Sequence, residues 1–229
     1  MLRINGQEIK GIILDIDGTL MDSFSVFTTV FNEGVSQFNV QPVSQLLLTQ
    51  VLRKGTDLHG MLRMVFPPQS DESLINKCKE SILEHFFSIE ATEIKPFPGI
   101  KELFKHLIGR GLRIGIATGR TSPPEKEWER FKGFGLDSFI DSIVTSREVA
   151  RRKPAPDAMI ECASRMKVPV ETCLIVGDTE DDVVAARRAG GIPVVILGKE
   201  DRLDLSESEK PALMFENLIE FTLFLEERG

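Results

Sequence analysis

Apolar positions along the chain follow two different periods. Short, nearly unbroken apolar runs lie at Gly11-Ile-Ile-Leu-Asp15, Leu112-Arg-Ile-Gly-Ile-Ala117, Ser142-Ile-Val-Thr145, Thr172-Cys-Leu-Ile-Val176 and Ile192-Pro-Val-Val-Ile-Leu197. Runs this short and this apolar predict strands buried on both faces of a sheet. Between them, apolar residues recur every three or four positions over about 99–109, 124–133, 156–166 and 180–189, as with Ile100, Leu103, Phe104 and Leu107. That spacing predicts helices, and a closing amphipathic helix over about 214–227 carries Leu218, Phe221 and Leu225 on one side. A small hairpin turning at Asn5-Gly6 precedes the first strand. Alternation of strand and helix predicts an α/β fold, a doubly wound, Rossmann-like parallel sheet with helices on both faces.

Residues 22–95 break the alternation and show no strand pattern. Phe24, Phe27, Phe31, Val35 and Phe38 form one helical stripe; Leu74, Cys78, Ile82 and Phe86 form another after a break at Pro67-Pro68. Pro96-Phe-Pro-Gly99 then forms a stiff return into a helix. The expected plan is an α/β core domain of residues 1–21 and 96–229 interrupted by an inserted α-helical domain of residues 22–95.

Composition narrows the function classes. The 229 residues are 41% hydrophobic and 28% charged, as in an ordinary globular protein, and the formal charge is 28 − 35 = −7. An acidic chain without a basic run is poorly suited to nucleic acid or an anionic membrane surface. No apolar run approaches the roughly 20 residues that span a bilayer. Residues 1–10 lack the apolar stretch of a signal peptide, so a cytoplasmic location is expected. Cys78, Cys162 and Cys173, with His59, His85 and His106, are scattered and argue against a disulfide framework or a zinc site.

Ligands of open parallel sheets bind beyond the carboxyl ends of the strands, where strand order reverses. Four polar groups fall at or near those ends: Asp15-Ile-Asp17-Gly-Thr-Leu20, Thr118-Gly-Arg120, Arg151-Arg-Lys153-Pro-Ala-Pro and Gly177-Asp178-Thr-Glu-Asp-Asp182. Gly18 lets the chain turn so that Asp15 and Asp17 can face one pocket, and Asp178 adds a third carboxylate from a strand expected beside the first. A lone Asp at such a turn also suits a helix N-cap. Three together suit a hard cation, Mg²⁺, which binds through carboxylates, waters and phosphate oxygens.

These four groups resemble the motifs of the haloacid dehalogenase (HAD) superfamily over roughly residues 9–197, and the helical insert resembles the cap of its phosphoglycolate phosphatase-like branch. The resemblance implies a Mg²⁺-dependent phosphomonoester hydrolase working through an aspartyl-phosphate. It makes Asp15 the nucleophile and Asp17 the acid and base. Mg²⁺ is held by Asp15, Asp178 and the Asp17 carbonyl. Thr118 and Gly119 bind the phosphoryl oxygens, and Lys153 balances their charge. Asp182 orients metal waters or Lys153, a task Asp181 could share. Asp at position 17 points to phosphate esters rather than to dehalogenation, whose leaving group needs no proton.

The implied substrate is a small anionic phosphate ester, with 2-phosphoglycolate as the best single expectation. Arg53, Lys54 and Gly55, in a turn between two helices of the insert, could reach a carboxylate or second phosphate on it. The same cations also suit a solvated helix end. Arg120 could face the pocket or make an outward salt bridge. A β-phosphoglucomutase-like mutase is the alternative on the same core, although Phe27 stands where such mutases usually carry His. A pyrophosphatase or nucleotide phosphatase is a further one. A phosphoaccepting signalling receiver would combine similar groups but would lack the helical insert.

Overall fold

The computed structural model describes residues 2–4, 6–198, 203, 205–206 and 210–228. A hairpin of β1 (Arg3–Ile4) and β2 (Gln7–Glu8) opens the chain; Gly6 in its turn has φ 82°, and Asn5 lies outside the described residues. Among the described residues, β3 (Gly11–Leu14), β4 (Arg113–Thr118), β5 (Ser142–Thr145), β6 (Cys173–Gly177), β7 (Ile192–Ile196) and β8 (Leu213–Phe215) form one parallel sheet in the order β5-β4-β3-β6-β7-β8. The chain leaves β3 to build β4 and β5 on one side, then returns to build β6 on the other. Strand order therefore reverses at β3, and the crevice at the carboxyl ends of β3, β4 and β6 is the expected ligand position.

Helices α5 (Ile100–Gly109), α6 (Pro124–Gly133), α7 (Asp157–Met166), α8 (Glu180–Ala189) and α9 (Leu218–Glu226) complete this unit. The period of two in the strands divides their side chains between the two faces. Ile13, Ala117, Val144 and Ile175 point into one core, where Met159, Cys162 and Met166 of α7 and Ala185 and Ala186 of α8 cover them. Close packing there leaves no spare volume: a Cβ at Gly115 would lie 2.4 Å from the Cys162 sulfur.

The described residues divide into two compact units, Met1–Met21 with Pro96–Gly229, and Asp22–Lys95. The second holds α1 (Ser23–Ser36), α2 (Gln45–Arg53), α3 (Leu58–Val65) and α4 (Glu72–Glu93), each started by an Asp or Ser side chain that accepts a backbone N–H: Asp22, Ser44, Asp57 and Asp71. Phe31, Val35, Leu48, Met61, Leu62, Ile75, Cys78 and Ile82 form its own core. Gly34 allows α1 and α4 to approach, since a Cβ there would lie 2.3 Å from the Ile82 side chain.

Two details depart from the hydrophobic pattern. The buried stripe of α4 starts at Ile75, not Leu74, which is 39% exposed; with 3.6 residues per turn, Ile75 shares a face with Cys78 and Ile82. The closing helix starts at Leu218 rather than near 214, because Leu213–Phe215 pairs with β7 as the edge strand of the sheet.

Candidate active site

Strand β3 ends at Leu14, and the Asp15 N–H still donates to the Val176 carbonyl, so Asp15 is set by the sheet itself. The chain then turns tightly. Gly18, at φ 78°, donates to Met21, while Leu20 and Met21 both donate to the Ile16 carbonyl. A β-carbon at residue 18 would resist that backbone conformation. Thr19, buried in the turn, donates its hydroxyl to Asp178 Oδ1 at 3.1 Å. Asp178 follows β6 and is itself buried.

Asp182 stands in the first turn of α8. Its Oδ2 accepts the Thr179 N–H at 3.1 Å and the Thr179 hydroxyl at 2.5 Å, while the Thr179 hydroxyl oxygen caps the Asp182 N–H. This reciprocal cap fixes the carboxylate against Gly177, where a Cβ would lie 2.3 Å from Asp182 Cγ. Lys153 reaches the cluster from the loop after β5. Its Nζ lies 2.7 Å from Asp15 Oδ1 and 2.6 Å from Asp182 Oδ1, and its side chain is only 9% exposed.

Burial pushes Asp15 up to about 7, with Lys153 opposing the shift and Asp182 and Asp17 adding to it. Burial also works against the charge on Lys153, but Asp15 and Asp182 outweigh it and hold Lys153 above the ordinary lysine range. One ammonium thus serves two carboxylates. Asp181, half-buried beside them on α8, is also raised, first by burial and then by Asp182. Asp15, Asp178 and Asp182 each offer an oxygen within 4.8 Å of the others. Three buried carboxylates with only oxygen donors fit a hard cation such as Mg²⁺.

Thr118 closes β4, is buried, and accepts the Arg120 N–H at 3.2 Å; Gly119 between them is exposed. Arg120 turns towards the site. Its Nε and NH2 bind both oxygens of Asp17, at 2.8 and 2.6 Å. Arg53, Lys54 and Gly55 belong to the other unit: Arg53 ends α2, is buried and lies 5.6 Å over the Phe24 ring, and Lys54 caps the helix in the open.

The haloacid dehalogenase-like hydrolase family matches residues 12–196, a span that holds every one of these carboxylates and strands β4 to β7. The chain belongs to this family.

Among relatives, this HAD-like hydrolase is 26% identical over 196 residues to the phosphoglycolate phosphatase of Rhodospirillum rubrum, covering 82% of this chain and 79% of that one. It is 25% identical over 183 residues to the pyrophosphatase PpaX of Halalkalibacterium halodurans, covering 80% and 81%. A crystal structure from Haemophilus somnus, described as a predicted phosphoglycolate phosphatase, superimposes with a TM-score of 0.78 at 19% identity, over 96% of this chain and 98% of that one. The enzyme is a HAD-like phosphatase. No helix among its described residues is long and apolar enough to cross a membrane.

The structure adds residues to this HAD-like site that sequence reasoning did not single out. Thr19 supports Asp178, and its signal was its place in the Asp-x-Asp-Gly-Thr motif. Behind Arg120 lies Glu127, fully buried, which accepts the Ser122 hydroxyl at 2.6 Å and Arg130 Nε at 3.1 Å and lies 3.7 Å from Arg120 NH1. Only the Glu-x-x-Arg spacing on α6 hinted at that pair. Ser146 N–H and Oγ both donate to the Arg120 carbonyl at 3.0 Å.

Proposed function

We propose that this enzyme is a Mg²⁺-dependent hydrolase of a small anionic phosphomonoester, with 2-phosphoglycolate as the leading candidate, and that it works through an aspartyl-phosphate on Asp15. The observation that carries this reading is the placement of Asp15 at the strand-order switch, its Oδ1 held by a lysine that Asp182 also grips. A carboxylate fixed through one oxygen has the other to direct at phosphorus.

In the first step Asp15 forms an O–P bond as the bond from phosphorus to the ester oxygen breaks, and Asp17 delivers a proton to that leaving oxygen. In the second, Asp17 takes a proton from the water that attacks phosphorus, and the Asp15–phosphate bond breaks to release phosphate. Thr118 and the Gly119 N–H hydrogen-bond the phosphoryl oxygens, and Lys153 faces the charge that builds on them. Asp15, Asp178 and the Asp17 carbonyl would hold Mg²⁺, with Asp182 and Asp181 supporting them from α8; when bound, the ion supplies positive charge to the phosphate oxygens. Arg53 and Lys54, with Gly55 between helices, and Arg120 are the groups this reading offers to a second anionic function on the substrate. We assign residues 22–95 the role of a substrate-selecting cap on the core of residues 1–21 and 96–229.

The test is a panel of phosphate esters with Mg²⁺ and with EDTA, run on wild type and Asp15→Asn. Wild type turns over 2-phosphoglycolate faster than simple alkyl phosphates, EDTA stops it, and Asp15→Asn neither turns over nor traps phosphate while keeping the wild-type melting curve. Near-normal hydrolysis by Asp15→Asn removes the nucleophile assignment. Inorganic pyrophosphate belongs in the panel because a pyrophosphatase is among the relatives, and a preference for it reassigns the substrate.

A further inference from the structure

Arg120 is anchored on three sides. Its carbonyl takes two hydrogen bonds from Ser146, its N–H binds Thr118, and its NH1 lies 3.7 Å from Glu127. Glu127 itself is locked by Ser122 and Arg130. The remaining edge of the guanidinium, Nε and NH2, projects to Asp17 and occupies both of its carboxylate oxygens. With both oxygens so engaged, Asp17 has none aligned for a leaving group. The pair is also asymmetric: the Arg120 side chain is 12% exposed and that of Asp17 is 29%. Asp17 is therefore the more exposed partner, while the guanidinium stays where Glu127 and the backbone hold it.

We propose that Arg120 is a substrate-operated latch: a carboxylate or second phosphate on the substrate takes over the Nε–NH2 edge of Arg120 and so frees the Asp17 carboxylate to serve the leaving oxygen. The inference rests on the phosphatase reading given above and adds the residue that couples recognition to catalysis. The exchange replaces one anion that offers two oxygens to the guanidinium by another that does the same, so the bidentate contact of Arg120 is kept and no charge is left uncompensated beside Glu127. Esters without a second anion bind but leave Asp17 engaged. Aryl phosphates with good leaving groups escape the requirement, since they depart without a proton.

The experiment compares 2-phosphoglycolate, ethyl phosphate and p-nitrophenyl phosphate on wild type, Arg120→Ala, Arg120→Lys and an Arg53→Ala/Lys54→Ala double variant. Alongside, calorimetry measures binding of phosphonoacetate and ethylphosphonate, which cannot be hydrolysed. The wild-type ratio of kcat/KM for 2-phosphoglycolate over ethyl phosphate falls at least about tenfold in Arg120→Ala, the loss expected for charge-assisted hydrogen bonds. The fall combines a higher KM for 2-phosphoglycolate with a higher kcat for ethyl phosphate, because Asp17 is released from Arg120 in the variant. Arg120→Lys, which keeps the charge without the fork, loses part of the ratio and decides the matter if Arg120→Ala melts early. The double variant, which removes the other cations offered to the second anion, does not raise kcat for ethyl phosphate, because Arg120 still holds Asp17.

An unchanged ratio in both Arg120 variants, or a ratio lost only in the double variant, overturns the latch. Equal losses on all three esters by Arg120→Lys also overturn it, as they mark a merely structural arginine. A wild-type protein that hydrolyses none of the esters refutes the phosphatase reading. Calorimetry still judges the anion-binding half: phosphonoacetate preferred by wild type and not by Arg120→Ala supports it, and the same preference in both removes it.

Discussion

Replacing Lys153 by Met keeps the length of the side chain and removes the one charge that Asp15 and Asp182 share. The ammonium sits 2.7 Å from Asp15 and 2.6 Å from Asp182. At an effective dielectric of about 20 each contact carries roughly 6 kcal/mol of attraction. Much of that is offset by the cost of taking the ions out of water, and cutting one partner from a buried pair costs about 3–5 kcal/mol net. The lower end applies, because Asp15 is already raised to about 7 and answers the loss of Lys153 by binding a proton. Urea denaturation in EDTA is then displaced by about 1 M, with a slope of about 3 kcal/mol/M. If the proposed Mg²⁺ site holds, added Mg²⁺ narrows the gap by placing positive charge beside Asp15. Turnover of p-nitrophenyl phosphate falls about 10²–10³-fold, the usual loss for one preorganised group that faces a developing oxyanion. A variant that unfolds with the wild-type midpoint in EDTA and keeps kcat within tenfold refutes the assignment of Lys153 as the cation that balances the site.

Two further outcomes follow from packing. Gly177→Ala places a Cβ within 2.3–2.4 Å of the Asp182 side chain, so α8 must shift or Asp182 must leave Lys153; stability falls by about 1–3 kcal/mol and turnover falls with it. A variant with wild-type stability and rate shows that the Gly177 contact is slack. Cys78, Cys162 and Cys173 are buried, and burial pushes their thiols up to about 11, 12 and 12. A disulfide reagent at pH 8 therefore labels none of them in the native protein and all three after denaturation. Because the folded values lie above the unfolded ones, these thiols favour the folded state fully below the unfolded thiol range, and that contribution is lost as pH rises from about 8.5 towards 12. Rapid native labelling at pH 8 contradicts the burial.

Some of this protein was legible in one dimension because its physics is local. A strand buried on both faces must be apolar throughout, so β3, β4, β5, β6 and β7 stood out to within a residue. Strand β8 did not, because three edge residues with Met214 exposed carry no period and Phe215 fits a helix as easily. The start of the α4 stripe was misplaced by one residue for a related reason. Adjacent Leu74 and Ile75 are equally apolar, and only the packing against α1 selects between them.

The same division holds at the site. The sequence by itself determined which chemical groups stand at the strand ends, since a parallel sheet exposes its ligand edge there and glycines mark where the backbone must turn. It did not determine their partners. Lys153 joins Asp15 and Asp182 across separations of 138 and 29 residues, and Arg120 joins Asp17 across 103. Residue type left open whether Arg120 faced the site or solvent, and a polar helix such as α6 gave no sign that Glu127 would be wholly buried behind it. Such pairings depend on which loops the sheet order brings side by side and on which charges lose their water. That is a property of the assembled fold, because a charge must find a partner only once its surroundings have excluded solvent.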